Sequence, residues 1–205
     1  MQLYYSPGAC SLATHITLRE AGLPFDLVRA DPKTKKLEDG SDFFAINSKG
    51  AVPALKLDDG QILTEGVAIM QYLADRKPES NLAPRNGTIE RYRLQEWLNY
   101  VTSEVHKSFS PLWNPAAAPQ VHEYTRANLE KKFDWLDKQL AGRKFLMGDS
   151  FTIADAYLFA VMNWTNFLGI DLGKWPAVRE HFARVAARPR VQEAMAAEGL
   201  IKKAA

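Results

Sequence analysis

One cysteine, Cys10, in 205 residues rules out an intrachain disulfide framework. No apolar run approaches the roughly 20 residues that a helix needs to cross a membrane. An excess of one charge is lacking too: 26 Lys and Arg against 24 Asp and Glu leave a formal net charge of +2. That is too little to mark a nucleic-acid binder, and the basic clusters Lys33-Thr34-Lys35-Lys36 and Lys202-Lys203 have no aromatics interleaved for base stacking. There is no G-x-G-x-x-G, no P-loop and no H-E-x-x-H, and the histidines at 15, 106, 122 and 181 lack metal-ligand spacing, so neither a metal nor a nucleotide is implied. The start of the chain lacks a basic, apolar, small-residue signal, so a reducing cytoplasm is the expected location. The sequons at Asn86 and Asn163 carry no meaning there.

What is present is ordinary for a globular protein, 46% hydrophobic and 24% charged, with enough chain for one large domain or two modest ones. Met1 to Tyr5 reads as a buried strand, Pro7 and Gly8 break it, and Ser11 to Ala21 runs with helical spacing of Leu12, Ile16 and Leu18. Gly22-Leu23-Pro24 ends that helix, and Phe25 to Arg29 alternates as a second, parallel strand. Asp31 to Gly40 is polar loop, and Asp42 to Asn47 reads as a short helix turning Phe43, Phe44 and Ile46 inward. Ala51 to Leu57 is a strand entered through Val52-Pro53, Asp59-Gly60 signals a two-residue hairpin, and Gln61 to Leu63 returns antiparallel. Thr64-Glu65-Gly66 opens a helix that carries Val67, Ile69, Met70, Tyr72 and Leu73.

Composition breaks at Pro78 to Gly87, and the expected organisation is an α/β domain over residues 1–80, a linker over 81–87 and an all-helical domain over 88–205. One helix is expected from Thr88 to Phe109, a second from Val121 to Leu140, and a last pair around Trp175 to Ala187 and Val191 to Ala197, split at Arg188-Pro189. Between them Thr152-Ile153-Ala154-Asp155 reads as a capping box, with Thr152 as N-cap and Asp155 three residues on, a structural cap rather than a catalytic pair.

Cys10 and Ser11 fall at the first helix start, where unpaired N–H groups favour an anion, so a lowered cysteine pKa is expected. The opposing reading is a small buried hydrophobe. The order β-α-β-α-β-β-α, with Cys10 at the first helix start and Pro53 leading the third strand, resembles the thioredoxin fold, in which this proline is cis. Disulfide reductases of that fold use Cys-x-x-Cys, but Cys10 is followed by Ser11, Leu12 and Ala13, so any thiol partner comes from outside, and the abundant cytosolic thiol is glutathione. The Cys10-Ser11 step, the Ala51-Val52-Pro53 turn, the Thr64-Glu65 helix start, the helical second half and the Thr152 to Asp155 box together resemble a cytosolic glutathione S-transferase. Tyr4-Tyr5-Ser6-Pro7-Gly8-Ala9-Cys10-Ser11 and Glu104-Val105-His106-Lys107 are similar to the bacterial beta class in particular.

That resemblance implies a homodimer with glutathione as co-substrate, no other cofactor, and no nucleic-acid or membrane partner. It implies catalytic roles at Cys10, Ser11, His106 and Lys107, and glutathione contacts at Lys35, Val52, Pro53, Glu65, Gly66, Asn99, Ser103 and Glu104, some of the last three reaching across the dimer. Lys33 and Lys36 are close enough to replace Lys35, and Tyr5 and Ser6 join Ser11 as candidate hydroxyl donors to sulfur. Asn99, Ser103 and His106 recur at i, i+4 and i+7, one polar stripe on an otherwise apolar helix. Gly66 departs from the family's usual Ser or Thr, which predicts weaker glutathione binding. Phe109, Trp113 and Trp164 are the candidate walls for a hydrophobic electrophile, though aromatic side chains carry much of any helical core and the reading as core or loop anchors is the stronger one. The activity implied is conjugation of glutathione to small hydrophobic electrophiles, a detoxification reaction. The alternatives are a thiol transferase or reductive dehalogenase acting through a Cys10 mixed disulfide, and a noncatalytic ligand carrier.

Overall fold

The computed structural model describes residues 1–202, so Lys203 of the basic tail pair lies outside the described residues. A four-stranded mixed sheet is built from β1 (Gln2–Tyr5), β2 (Asp26–Arg29), β3 (Ala54–Lys56) and β4 (Ile62–Thr64) in the order β2-β1-β3-β4. β1 and β2 are parallel, with Tyr4 opposite Val28; β3 runs antiparallel to both β1 and β4. The unbroken apolar run Leu3-Tyr4-Tyr5 suits a strand covered on both faces. On one face Leu3 and Leu55 pack with Leu12 and Ile16 of α1 (Ser11–Glu20) and with Ile69, Met70 and Leu73 of α2 (Gly66–Arg76). On the other, Tyr4, Ala54 and Ala30 cluster with Phe43.

Two local expectations change in the structure. The segment after Asp42 is a single tight turn of helix, Phe43–Ala45, in which Phe43 is buried while Phe44 points outward at 47% exposure. A helix that short presents only one side to the sheet, so one of two adjacent phenylalanines must face away. The hairpin between β3 and β4 has three residues at its tip, not two: Leu57 N–H bonds Gln61 O, and Asp58-Asp59-Gly60 turn the chain with Gly60 at φ +88°. Val52-Pro53 is cis, as the resemblance implied.

The second half is helical: α3 (Ile89–Tyr100), α4 (Pro119–Leu140), α5 (Ile153–Met162), α6 (Trp164–Leu168), α7 (Pro176–Ala186) and α8 (Pro189–Ala197). Thr88 caps α3 by accepting from Arg91 N–H. The helix predicted to run on to Phe109 changes pitch instead. A wide helical turn spans Val101–His106 and a tight one spans Lys107–Trp113, with Pro111 inside it. α5 is buried over all ten residues, which its Ala-Leu-Phe-Val composition permits, and its capping box is closed as the sequence predicted. Asp155 does more than cap, since it also accepts from Leu146 N–H and pairs with His181 at 2.8 Å. α6 was not expected from the sequence; it follows α5 almost without a break and stops at Gly169, φ +61°.

The sheet half is tied to the helices by partly buried ion pairs. Arg91 forms a two-pronged ion pair with Asp75 at 2.8 and 2.9 Å, and Arg188 does the same with Glu20 at 2.7 and 2.8 Å. α1 is therefore covered all round, with the sheet on one side and α5 and α8 on the other. No helix of the described residues is long and apolar enough to cross a membrane.

Candidate active site

A cleft of about 320 Å³ opens where the sheet half meets the wide turn of the helical half, within the size range of small-ligand sites. The sheet half contributes Cys10, Asn47, Lys49, Val52, Pro53, Glu65 and Gly66; the helical half contributes Asn99, Thr102, His106, Lys107 and Tyr157.

Cys10 caps the N-terminus of α1, and its thiol donates to Val52 O across 3.4 Å. The expected fall in its pKa is overturned: burial pushes the thiol up to about 11. Lys107 and the helix-start N–H groups of Cys10 and Ser11 pull the other way, and Glu65 adds to the rise. Desolvation of a thiolate outweighs a helix terminus and one exposed ammonium. The loop before Cys10 is clamped at Gly8, whose N–H donates to Glu198 and whose carbonyl accepts from Trp164 Nε1, at 2.9 and 2.8 Å. Gly8 sits at φ +70° with Leu200 and Phe167 3.3–3.5 Å from where a Cβ would be, so any side chain there would be strained. Glu198 also pairs with buried His15, linking the far end of the chain to the first loop.

Opposite Cys10, Asn47 holds the approach to the cis bond by donating to Ala51 O at 2.6 Å. Val52 N–H has no hydrogen-bond partner among the described residues, so this edge of the backbone is open to a peptide-like ligand. Glu65 adopts φ +69°, a conformation few non-glycine residues take, and sets its exposed carboxylate at the mouth of the cleft. Lys49 pairs with that carboxylate and donates to Thr64 Oγ1 at 2.9 Å. Gly66 begins α2, and a Cβ there would meet only Pro53 at 3.5 Å, ordinary contact.

On the helical side burial, aided by Lys107, pushes His106 down to about 4, so the imidazole is neutral. Its Nδ1 lies 2.7 Å from the hydroxyl of Tyr157, whose pKa burial raises. The polar stripe at i, i+4 and i+7 does not survive. Asn99, Thr102 and His106, spaced i, i+3 and i+7, face the cleft and Ser103 does not. Ser103 bonds back to Asn99 O, and Glu104 pairs with Lys132.

Several predicted site residues lie elsewhere. Ser11 is fully buried and exchanges hydrogen bonds with Ser6, at 3.2 Å each way. Lys35 donates to Gly50 O at 2.8 Å and does not line the cleft. Phe109 is core, Trp164 packs edge-on against Phe109 and Trp113, and none of the three walls the cleft. Asn47, Lys49, Thr102 and Tyr157 were not singled out from sequence. The Asn-Ser-Lys-Gly turn could have flagged the first two; nothing local marks Tyr157, which sits in a uniformly buried helix.

Two family profiles match the chain: "Glutathione S-transferase, N-terminal domain" over residues 8–76 and "Glutathione S-transferase, C-terminal domain" over residues 100–189. Glutathione S-transferase GstA of Escherichia coli O157:H7 is 50% identical over 200 residues, 98% of this chain and 100% of that protein. Among solved structures, a bacterial beta class glutathione S-transferase from Sphingomonas chungbukensis is 45% identical with a TM-score of 0.95, covering 98% of this chain and 100% of its own. A sphingomonad glutathione S-transferase complexed with glutathione is 44% identical with a TM-score of 0.94 and the same coverage.

Proposed function

This chain belongs to the glutathione S-transferase family, in its bacterial beta class, and from that premise we propose that its cleft binds glutathione and presents the thiolate to small hydrophobic electrophiles, detoxifying them. The observation that supports this most is one cavity that joins the open Val52 edge, the Glu65 carboxylate and the start of α2 to His106 and Lys107. Glutathione carries two carboxylates, an amine, a thiol and peptide groups. Val52 pairs with its cysteinyl peptide beside Pro53, and Glu65 takes its γ-glutamyl amine, displacing Lys49. The first N–H groups of α2, from Gly66 on, meet the neighbouring carboxylate, a helix-end interaction worth about 0.3–1 kcal/mol. Asn99 adds a side-chain amide, and the released Lys49 stands closer to the cleft than Lys35 for the other carboxylate.

The bound thiol then lies against His106 and Lys107, a neutral N–H donor and a cation, which favour thiolate over thiol. Lowering its pKa by two units corresponds to about 2.7 kcal/mol. With a chloronitroarene the thiolate forms the C–S bond as the C–Cl bond breaks; chloride leaves and the thiol proton has already gone to solvent. We place the α/β glutathione domain at residues 1–80, a linker at 81–87 and the electrophile-handling helical domain from residue 88, in a cytoplasmic homodimer whose partner subunit receives Ser103 and Glu104.

The deciding experiment is the initial rate of glutathione conjugation to a chloronitroarene, with wild type and Cys10→Ala side by side. Because Cys10 is held as a thiol, the variant is expected to keep most of the activity; loss of activity would put Cys10 in the conjugation step, and an inactive wild type would sink the conjugation reading. A second reading is favoured by the free Cys10 thiol on the cleft wall. Having given its proton to solvent, the small ionised fraction of Cys10 attacks glutathione disulfide, forming a Cys10–glutathione disulfide and releasing one glutathione thiolate. Intact mass after exposure to oxidised glutathione checks it; an unmodified Cys10 excludes it.

A further inference from the structure

One buried polar group in the cleft has no part in the scheme above. Tyr157, from α5, is 5% exposed, lines the cleft with Cys10, Glu65 and His106, and brings its hydroxyl to 2.7 Å from His106 Nδ1. We propose that Tyr157 is a positioning residue: its hydroxyl donates to His106 Nδ1 and so fixes the imidazole in the Nε2–H tautomer, with that N–H left to hold the glutathione thiolate. The inference rests on the glutathione reading and adds to it a residue that acts on the thiolate through His106.

A buried hydroxyl proton must be placed, and a neutral imidazole offers one acceptor nitrogen. Thr102, whose hydroxyl also meets the Tyr157 phenol, gives its own proton to Leu98 O at 2.7 Å, and its oxygen is a weaker acceptor for the phenol proton than the imidazole nitrogen. In the reverse arrangement Nδ1–H would donate to the phenol oxygen, turning a bare Nε2 lone pair towards a thiolate, which repels it. Nε2 has no partner among the described residues. Burial keeps the imidazole neutral and the phenol protonated, so both hold these states through the neutral range. The ring cannot swing away easily, because Trp164 meets it edge-on at 4.9 Å and is itself held by Gly8 O. The other ionisable groups facing the pair are Lys107 on the same chain turn, and Cys10 and Glu65 from across the cleft. All three are unchanged by a substitution at position 157.

The test is a pH titration of the ultraviolet absorbance of bound glutathione thiolate in wild type, Tyr157→Phe, His106→Asn and the double variant. Tyr157→Phe is expected to raise the apparent thiol pKa by about one unit, a tenfold smaller thiolate fraction below it. Glutathione affinity measured well below that pKa should stay unchanged, and the double variant should match His106→Asn alone. An unshifted Tyr157→Phe, or a double variant in which the two shifts add, overturns the proposal. Nitrogen-15 spectra of histidine-labelled wild type give a readout that needs no variant to fold: an Nε2–H tautomer at His106 is expected, and an Nδ1–H tautomer overturns it. A wild type whose bound thiol titrates as it does free in solution defeats the glutathione reading itself. A depressed wild-type pKa with no effect at position 157 defeats only the role of Tyr157.

Discussion

Gly66 has room for a Cβ at the start of α2. A Cβ there clashes with nothing, and the backbone is not in the left-handed region, so a side chain can be added without strain. Gly66→Ser is expected to lower the glutathione Kd by roughly three- to tenfold, the net value of one ordinary hydrogen bond at about 0.5–1.5 kcal/mol. Gly66→Ala, which improves the helix without the hydroxyl, should leave Kd near wild type; calorimetric titration of the pair separates the two effects. Cys10 gives the second residue-level prediction. A thiol held up to about 11 ionises only as pH rises through that value, so alkylation by iodoacetamide in the ligand-free protein should keep climbing beyond pH 9. A rate that levels off near the ordinary thiol pKa of about 8.5 would contradict the burial argument. The same lone cysteine that marks the site in the sequence thus has its acidity decided by what covers it.

Among the elements, α5 shows how a local signal becomes a tertiary one. Thr152 and Asp155 were legible because a capping box is a contact between residues three apart. The other partners of Asp155, Leu146 N–H and His181, were not legible, since His181 arrives from α7, 26 residues on. Thr152→Ala should lower unfolding free energy by about 1 kcal/mol. Asp155→Ala should lower it by about 3 kcal/mol, because it strands a buried N–H and a buried imidazole together. Urea unfolding followed by tryptophan fluorescence checks both, and equal losses would mean that the His181 contact carries nothing. The wide turn at Val101–His106 is the opposite case. The polar positions of that segment were legible, but i+3 and i+4 lie near one helix face, so spacing alone did not separate Thr102, which reaches the cleft, from Ser103, which does not.

At the scale of the molecule, α3 leaves Ile89 and Tyr92 at 63% and 59% exposure, while Ser103 and Glu104 lie outside the cleft of their own chain. A second copy would cover the first pair and receive the second. Sedimentation velocity should therefore give twice the chain mass, and Ser103→Ala should weaken glutathione binding by a few fold although it lines no cleft in its own subunit. A monomer, or an unchanged Kd, removes the cross-subunit contact. By itself the sequence determined the order of elements in the sheet half, the α/β and helical halves, the family, and the position of Cys10, Pro53 and Glu65, because hydrophobic period, turn chemistry and short motifs act over a few residues. Only the tertiary structure decided that the Cys10 thiol is protonated, that Lys49 sits on Glu65, that Glu198 holds Gly8 across 190 residues, and that Tyr157 faces His106. Desolvation, charge pairing and tautomer depend on which atoms surround a group in space, and chain neighbours supply few of those atoms.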